Sequence, residues 1–408
     1  MKKFDKAMQI LFAGFCINLC MGILYAWSVF KQALVVDLGW SNADASMPYT
    51  VAVITFAASL LVAGVLQDRM GPRRILILGT VMVGLGMIIS SFATSPLLLI
   101  VTFGLLTGCG IGFGYACLAP SAMKWFHPSK KGMVNGLIAA GFGLAAVYLA
   151  PLTSMLISTY GINTSFLILG GAVLVIAVPL ACTINNPPAD YTPVAPASAA
   201  GKPASKPVDI NWRAMVKTPQ FYSLWVMFAL ASSAGLMVIG NITSIAAQQA
   251  NITQAAYLVV ILSIFNSGGR IAAGMLSDKI GGVKTLMIAF IMQGINMALF
   301  ASFTSDFTLM IGAALAGVGY GTLLAVFPSI TADYYGLKNY GANYGVLYTA
   351  WGVSGFIGPV VAAVAVDTTG TYTLAYTICA AMMAVAVFLS FITKPVDAEA
   401  LEKKLANA

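Results

Sequence analysis

The chain has 408 residues, of which 59% are hydrophobic and 8% charged, and its 21 Lys and Arg against 13 Asp and Glu give a net charge of +8. A soluble chain of this length needs about a quarter charged residues to cover its surface, so composition excludes a water-soluble globular protein. Its apolar residues fall in runs of about twenty, long enough to cross a bilayer.

Lys2, Lys3 and Lys6 precede the first apolar run, residues 8–30. That run exceeds the about 7–15 residues of a secretory leader's apolar core, and no small-residue cleavage site follows, so it reads as an uncleaved first span. Further spans are expected at 47–67, 75–93, 97–122, 134–157 and 162–183, then at 219–245, 253–276, 284–303, 307–332, 340–366 and 371–392. Each covers about 30 Å at about 1.5 Å per residue. Between the sixth and seventh, residues 184–217 hold Pro187, Pro188, Pro193, Pro196, Pro203 and Pro207 among Ala, Ser and Lys, the composition of a flexible linker. The expected organisation is an all-α membrane protein of twelve helices: a six-helix half (1–183), the linker, a second half (218–394) and a tail (395–408).

Charge sets the orientation. All but Lys31 and Arg270 of the 21 basic residues fall in the termini, the linker or loops on one side, which the positive-inside rule makes cytoplasmic. Both termini are therefore expected in the cytoplasm, on the cytoplasmic (inner) membrane, and the positive charge does not point to nucleic acid. The cysteines Cys16, Cys20, Cys109, Cys117, Cys182 and Cys379 lie inside apolar runs without a CxxC spacing, and no cofactor or metal is implied. His127, the one histidine, sits in a basic loop, and no nucleophile–base pair appears, so an enzyme is not expected.

The two halves repeat. Gly64-Val-Leu-Gln-Asp68-Arg-Met-Gly71-Pro-Arg73-Arg74 is echoed by Gly274-Met-Leu276-Ser-Asp278-Lys279-Ile-Gly281-Gly-Val-Lys284. Gly108, Gly110 and Gly112 before Pro120-Ser121 match Gly317, Gly319 and Gly321 before Pro328-Ser329, while Asn135 matches Asn343 and Pro151 matches Pro359. The offset stays near 208–210 throughout, which chance matches would not do. Parallel six-helix halves with a site between them suit alternating access.

The Gly-x-Leu-x-Asp-(Arg/Lys)-x-Gly-x-(Arg/Lys) loop, present in both halves, resembles the signature of the major facilitator superfamily. In that superfamily its acidic and basic residues hold the cytoplasmic gate, a role the resemblance extends to Asp68, Arg73, Arg74 and Asp278. Within it, Leu24-Tyr25-Ala26-Trp27, Lys124-Trp125-Phe126, Thr218-Pro219-Gln220-Phe221, Asn266-Ser-Gly-Gly-Arg270 and Asn343-Tyr344-Gly345 are similar to the oxalate:formate antiporter family and related bacterial monocarboxylate transporters. The likeness reaches both halves.

Arg270 is the most informative residue. It precedes Asp278 by eight positions, about 12 Å inside the cytoplasmic end of its helix, where an arginine costs about 2.5–3.5 kcal/mol on insertion scales. All thirteen acidic residues fall at helix ends, in loops or in tails, so none shares that depth. A guanidinium facing a water-filled cavity suits a carboxylate, which it grips with two parallel hydrogen bonds. The resemblance gives Arg270 the same task. It also implies a second cation, a lysine, at the position of Trp351. An indole there favours an organic acid with one carboxylate over oxalate.

Asn266 lies one turn before Arg270 and shares its face. It either orients the guanidinium, bonds a substrate hydroxyl or serves as helix–helix glue. Animal proton-coupled relatives hold an aspartate there, so the usual proton acceptor is missing. Tyr115, Tyr320 and Trp351 compute to about 14, 20 and 16 Å from their cytoplasmic ends, depths that suit the walls of one cavity. Tyr25, with Leu24 beside it, computes nearer the outer face, yet the resemblance places its counterpart at the site. Ordinary packing is the competing role for each aromatic.

These readings predict secondary active transport of a small monocarboxylate such as lactate, pyruvate or formate. The partners are protons and the bilayer, and the chain is expected to act as a monomer. Exchange of two carboxylates is the alternative. A carboxylate-sensing receptor is a more distant one, disfavoured by the short segment after the last span.

Overall fold

The computed structural model describes residues 2–188, 190–193, 209–252 and 255–395, and among these every regular element is helical. Most of the linker expected at 184–217 and nearly all of the tail expected at 395–408 lie outside the described residues.

The helices are α1 (Lys2–Met21), α2 (Trp27–Leu38), α3 (Asn42–Met70), α4 (Pro72–Ser90), the short α5 (Pro96–Leu99), α6 (Gly108–Met123) and α7 (Lys131–Ala181). They continue as α8 (Trp212–Met215), α9 (Pro219–Ala250), α10 (Ala256–Ile280), α11 (Gly282–Phe300), α12 (Asp306–Tyr335), α13 (Tyr340–Thr369) and α14 (Thr373–Ile392). Eleven continuous stretches among the described residues are long and apolar enough to cross a membrane. One of them, Pro128–Ala181, is 54 residues long. Gly161 breaks it with φ 79° and ψ 167°, a conformation that L side chains resist, so the stretch supplies two crossings and the expected twelve are reached.

Side chains placed by the sequence start the helices. Ser41, Ser95, Thr218 and Ser305 each accept a backbone N–H of the first turn, and Pro96 and Pro219 occupy the first turn, where no intrahelical donor is needed. The repeated signature loop turns on one residue in each copy, Gly71 at φ 82° and Gly281 at φ 91°.

The first expected span is interrupted. A 3₁₀ turn, Gly22–Ala26, separates α1 from α2. A β-carbon on Gly22 would stand 2.2 Å from the Ala145 side chain, so the turn lies against α7 with no room for a side chain at that position. The span expected at 97–122 contains a π-helical segment, Ile100–Thr107. Thirteen positions separate Ser95 from Gly108, whereas twelve separate Ser305 from Gly317. The π turn takes up that extra residue, as such bulges do.

Two compact units emerge, one of Met1–Pro128 with Gly141–Pro196, the other of Ser129–Ala140 with Ala197–Ala408. In the first, α3 and α4 pack on α6; in the second, α10 packs on α12, α9 on α13 and α11 on α14. The glycine ladders make these contacts close. A β-carbon on Gly112 would lie 2.5 Å from the Phe56 carbonyl, and one on Gly321 would lie 2.1 Å from the Asn266 carbonyl. The segment Ser129–Ala140, which includes the first turns of α7, belongs to the second unit by its contacts.

Candidate functional site

In the second unit Arg270 has no exposed surface. Its Nε donates to Asn266 Oδ1 at 3.0 Å and its Nη1 to the Ala139 carbonyl at 2.5 Å. The first bond follows from the helix: residues four apart share a face, and Asn266, 2% exposed, is pressed in place by Gly321 of α12. Sequence reasoning missed the second bond, since its acceptor is a backbone atom of α7. These two bonds fix the plane of the guanidinium, and both acceptors are neutral.

Tyr320 and Trp351 are also brought together. The indole Nε1 of Trp351 donates to the Tyr320 hydroxyl oxygen at 2.6 Å, and both side chains are buried. The indole donor is thereby engaged by the phenol. Trp351 stacks on Tyr348 with centroids 5.1 Å apart, and Tyr348 in turn meets Phe228 edge-on at 6.0 Å. That framework holds the indole at one angle.

The first unit gathers the other aromatics. Phe142 is the hub: Tyr25 meets it at 5.6 Å and Tyr115 at 5.5 Å, both edge-on. Phe56 joins Tyr115 at 5.7 Å and Phe142 at 6.1 Å. Such pairs contribute about 0.5–1.5 kcal/mol each beyond burial. Tyr25 and Leu24 ride on the 3₁₀ turn; Leu24 is buried and Tyr25 half-buried. Phe56 and Phe142 were not singled out in the sequence, where nothing separates them from the other phenylalanines.

The gate residues differ between copies. Asp68 is half-buried and accepts from Gln67 Nε2 at 2.7 Å, while Arg73 and Arg74 are exposed in the first turn of α4. Asp278 reaches across to α7, where its two carboxylate oxygens accept the backbone N–H groups of Gly132 and Met133 at 2.7 and 2.8 Å. A carboxylate on the first amides of a helix satisfies donors that have no intrahelical partner and complements the helix dipole.

The same face of α7 continues inward. Asn135 donates to the Ala325 carbonyl at 2.6 Å, and a β-carbon on Gly136 would stand 2.3 Å from the Arg270 carbonyl. Lys131 and Asp333 form an ion pair at 3.2 Å beside the start of α7. Small residues four apart, Gly132, Gly136 and Ala140, are the sequence signal that would have revealed this close approach.

Comparisons with known proteins agree with this architecture. The profile of the Major Facilitator Superfamily matches residues 10–295 and 231–407. The chain is 29% identical over 347 residues to the oxalate:formate antiporter of Oxalobacter formigenes, covering 83% of this chain and 80% of the relative. It is 23% identical over 378 residues to monocarboxylate transporter 13 of Rattus norvegicus, covering 92% and 86%. Among solved structures, a variant of the E. coli fucose:proton symporter FucP superposes with a TM-score of 0.71 at 14% identity, covering 97% of this chain and 99% of that one. At that identity the likeness speaks for the fold alone.

Proposed function

This chain belongs to the Major Facilitator Superfamily, a family of multi-span membrane transporters, and from that premise we propose that it carries a small monocarboxylate by proton-coupled alternating access. The reading rests on Arg270, a guanidinium of zero exposure midway along a membrane span, oriented by Asn266 and the Ala139 carbonyl. A cation kept at that depth against an insertion cost of about 2.5–3.5 kcal/mol is what recognition of an anion in a bilayer requires. A carboxylate matches the planar fork of a guanidinium with two parallel hydrogen bonds. The names of the antiporter and of the monocarboxylate transporter support a carboxylate as cargo.

In this reading Tyr25, Leu24 and Tyr115 from the first half and Asn266, Tyr320 and Trp351 from the second line the substrate's path. Trp351, braced on Tyr348 and bonded to Tyr320, forms an apolar wall that suits an organic tail with one charge. Asp68, Arg73, Arg74 and Asp278 hold the cytoplasmic gate. The carboxylate of Asp278 on the α7 amides supports that assignment. The two halves, 1–183 and 218–394, are joined by the linker 184–217 and followed by the tail 395–408. In this reading the transporter acts as a monomer in the cytoplasmic membrane, and the one-sided distribution of Lys and Arg supports placing both termini inside.

Reconstitution into liposomes tests this directly. Uphill uptake of labelled lactate, pyruvate or formate driven by an imposed pH gradient, without internal anion, is the expected result. Uptake that needs an internal carboxylate would instead establish exchange, the reading favoured by the 29% identity to the antiporter. No transport of any small monocarboxylate in either format would end the proposal.

A further inference from the structure

Along α10, Arg270, Gly274 and Asp278 fall four residues apart and share one face, and along α7 so do Gly132, Gly136 and Ala140. The two faces meet in a seam with a rung at nearly every turn. At one end Asp278 accepts the Gly132 and Met133 amides at 2.7 and 2.8 Å. Next to it the backbones touch: a β-carbon on Gly132 would lie 2.2 Å from the Gly274 carbonyl, and one on Gly274 2.2 Å from the Gly132 carbonyl. A turn further, a β-carbon on Gly136 would lie 2.3 Å from the Arg270 carbonyl. The last rung is the Arg270 side chain, whose Nη1 donates to the Ala139 carbonyl at 2.5 Å. The boundary of the compact units follows at once: Ser129–Ala140 pack with the second unit, and α7 from Gly141 onward with the first.

One rung differs from the others. The backbone contacts, the Asp278 cap and the ties of Lys131 and Asn135 to α12 involve no group that the transport reading gives to the cargo. The Arg270 rung is closed by the very guanidinium that the carboxylate would engage. Its Nε is held by Asn266 Oδ1 at 3.0 Å. A carboxylate that takes two parallel bonds from this guanidinium therefore takes the edge formed by Nη1 and Nη2. It then approaches the nitrogen that holds Ala139. A hydrogen bond between two ions is stronger than one from an ion to a neutral carbonyl. Ala139 is 2% exposed and Arg270 has no exposed surface, so the two acceptors compete in a site of low dielectric.

We infer that the first turns of α7 form a latch on α10 that a bound carboxylate releases at Arg270. The inference rests on the transport reading and adds the step by which cargo binding reaches the gate. As the carboxylate draws Nη1 away from Ala139, the seam loses its inner rung and residues 129–140 part from α10 more often. The opening runs from Ala139 outward, and the Asp278 cap is the last contact to yield. Release needs an anion that accepts from Nη1 and Nη2 together. A neutral amide of the same acid offers one carbonyl oxygen and an NH₂ donor at its head, so it leaves the latch closed.

Hydrogen exchange of the full chain in phosphatidylcholine nanodiscs tests this, with pyruvate, lactate and formate in turn and the binding of each followed by radiolabel. Without ligand, Arg270→Leu should exchange residues 131–140 at least about ten-fold faster than the natural chain, as loss of one hydrogen bond to a charged group implies. In the natural chain an acid that binds should speed the same residues to a similar extent, and lactamide should not. No acid should speed the variant further. Residues 219–224, the first turns of α9 behind the Thr218 cap, should stay unchanged throughout. An acid that binds while residues 131–140 stay protected overturns the latch and leaves the transport reading standing. If none of the acids binds, both fall. A rise shared by residues 219–224 is general loosening and overturns the latch, as does equal exchange in the natural chain and a folded Arg270→Leu. Should that variant not fold, the acid and lactamide arms decide on the natural chain.

Discussion

At one register of the repeated fold, α3 and α10 answer the same structural demand with opposite chemistry. Two hundred and ten positions before Asn266 and Arg270 stand Phe56 and Leu60. Phe56 and Leu60 are 2% and 1% exposed, and Phe56 packs into the aromatic cluster around Phe142. Asn266 and Arg270 are as deeply buried, yet they form a hydrogen-bonded pair tied to the Ala139 carbonyl. The scaffold therefore accepts an apolar pair at this depth, and the amide and the cation are additions to it. Helices α4 and α11 repeat the lesson, with Val83 and Gly86 in one copy and Gln293 and Asn296 in the other. The two copies share the walls, and at these positions the second copy alone carries the polar groups.

The sharpest way to break this contrast is to erase it. Arg270→Leu, copying Leu60, should lower carboxylate uptake in proteoliposomes on the order of 100-fold, about 2.7 kcal/mol in transition-state terms. Its thermal midpoint should hold or rise, because an apolar residue in place of a buried charge is often neutral or stabilising. A parallel loss of folding and transport would instead make Arg270 a structural residue. Next in size is Gly136→Ala, whose new β-carbon meets the Arg270 carbonyl at 2.3 Å. Overpacking of this kind costs about 1–3 kcal/mol, read as a lower thermal midpoint together with weaker transport. Asp278→Ala should cost about 0.5–2 kcal/mol by freeing the Gly132 and Met133 amides, and should raise the reactivity of a cysteine placed at Ser129. Trp351→Phe keeps an aromatic ring but loses the bond to Tyr320, worth about 0.5–1.5 kcal/mol, and should raise KM a few-fold with little change in maximal rate. Trp351→Lys should shift preference toward oxalate in a competition assay. At the small end, a β-carbon on Gly268 meets nothing within 4 Å. Gly268→Ala should therefore be neutral or gain up to about 1 kcal/mol of helix stability.

Much of this architecture can be read from residues. Hydropathy places the spans because a bilayer punishes any polar interruption, and the repeat aligns them. Even the π segment leaves a trace, since the offset slips by one residue between Ser95 and Gly108. Hydropathy does not see the break at Gly22–Ala26, because Gly22-Ile-Leu-Tyr-Ala26 leaves the apolar run unbroken. The Asn266–Arg270 pair follows from helical spacing alone. Its anchor on Ala139 and the cap that Asp278 places on α7 join helices far apart in sequence through backbone atoms that carry no identity, whereas the Trp351–Tyr320 bond pairs two complementary side chains on consecutive helices. Residue patterns report faces and periods well, and they report tertiary partners only where both are side chains of complementary chemistry.

The central claim, that Arg270 is the group that receives the carboxylate, is tested most directly by equilibrium binding of radiolabelled pyruvate, lactate and formate to the protein in nanodiscs, comparing the natural chain with Arg270→Gln. Saturable binding of at least one acid that disappears in the variant, with the variant's fold intact by thermal melting, is the predicted result. Binding that persists undiminished in Arg270→Gln would contradict it.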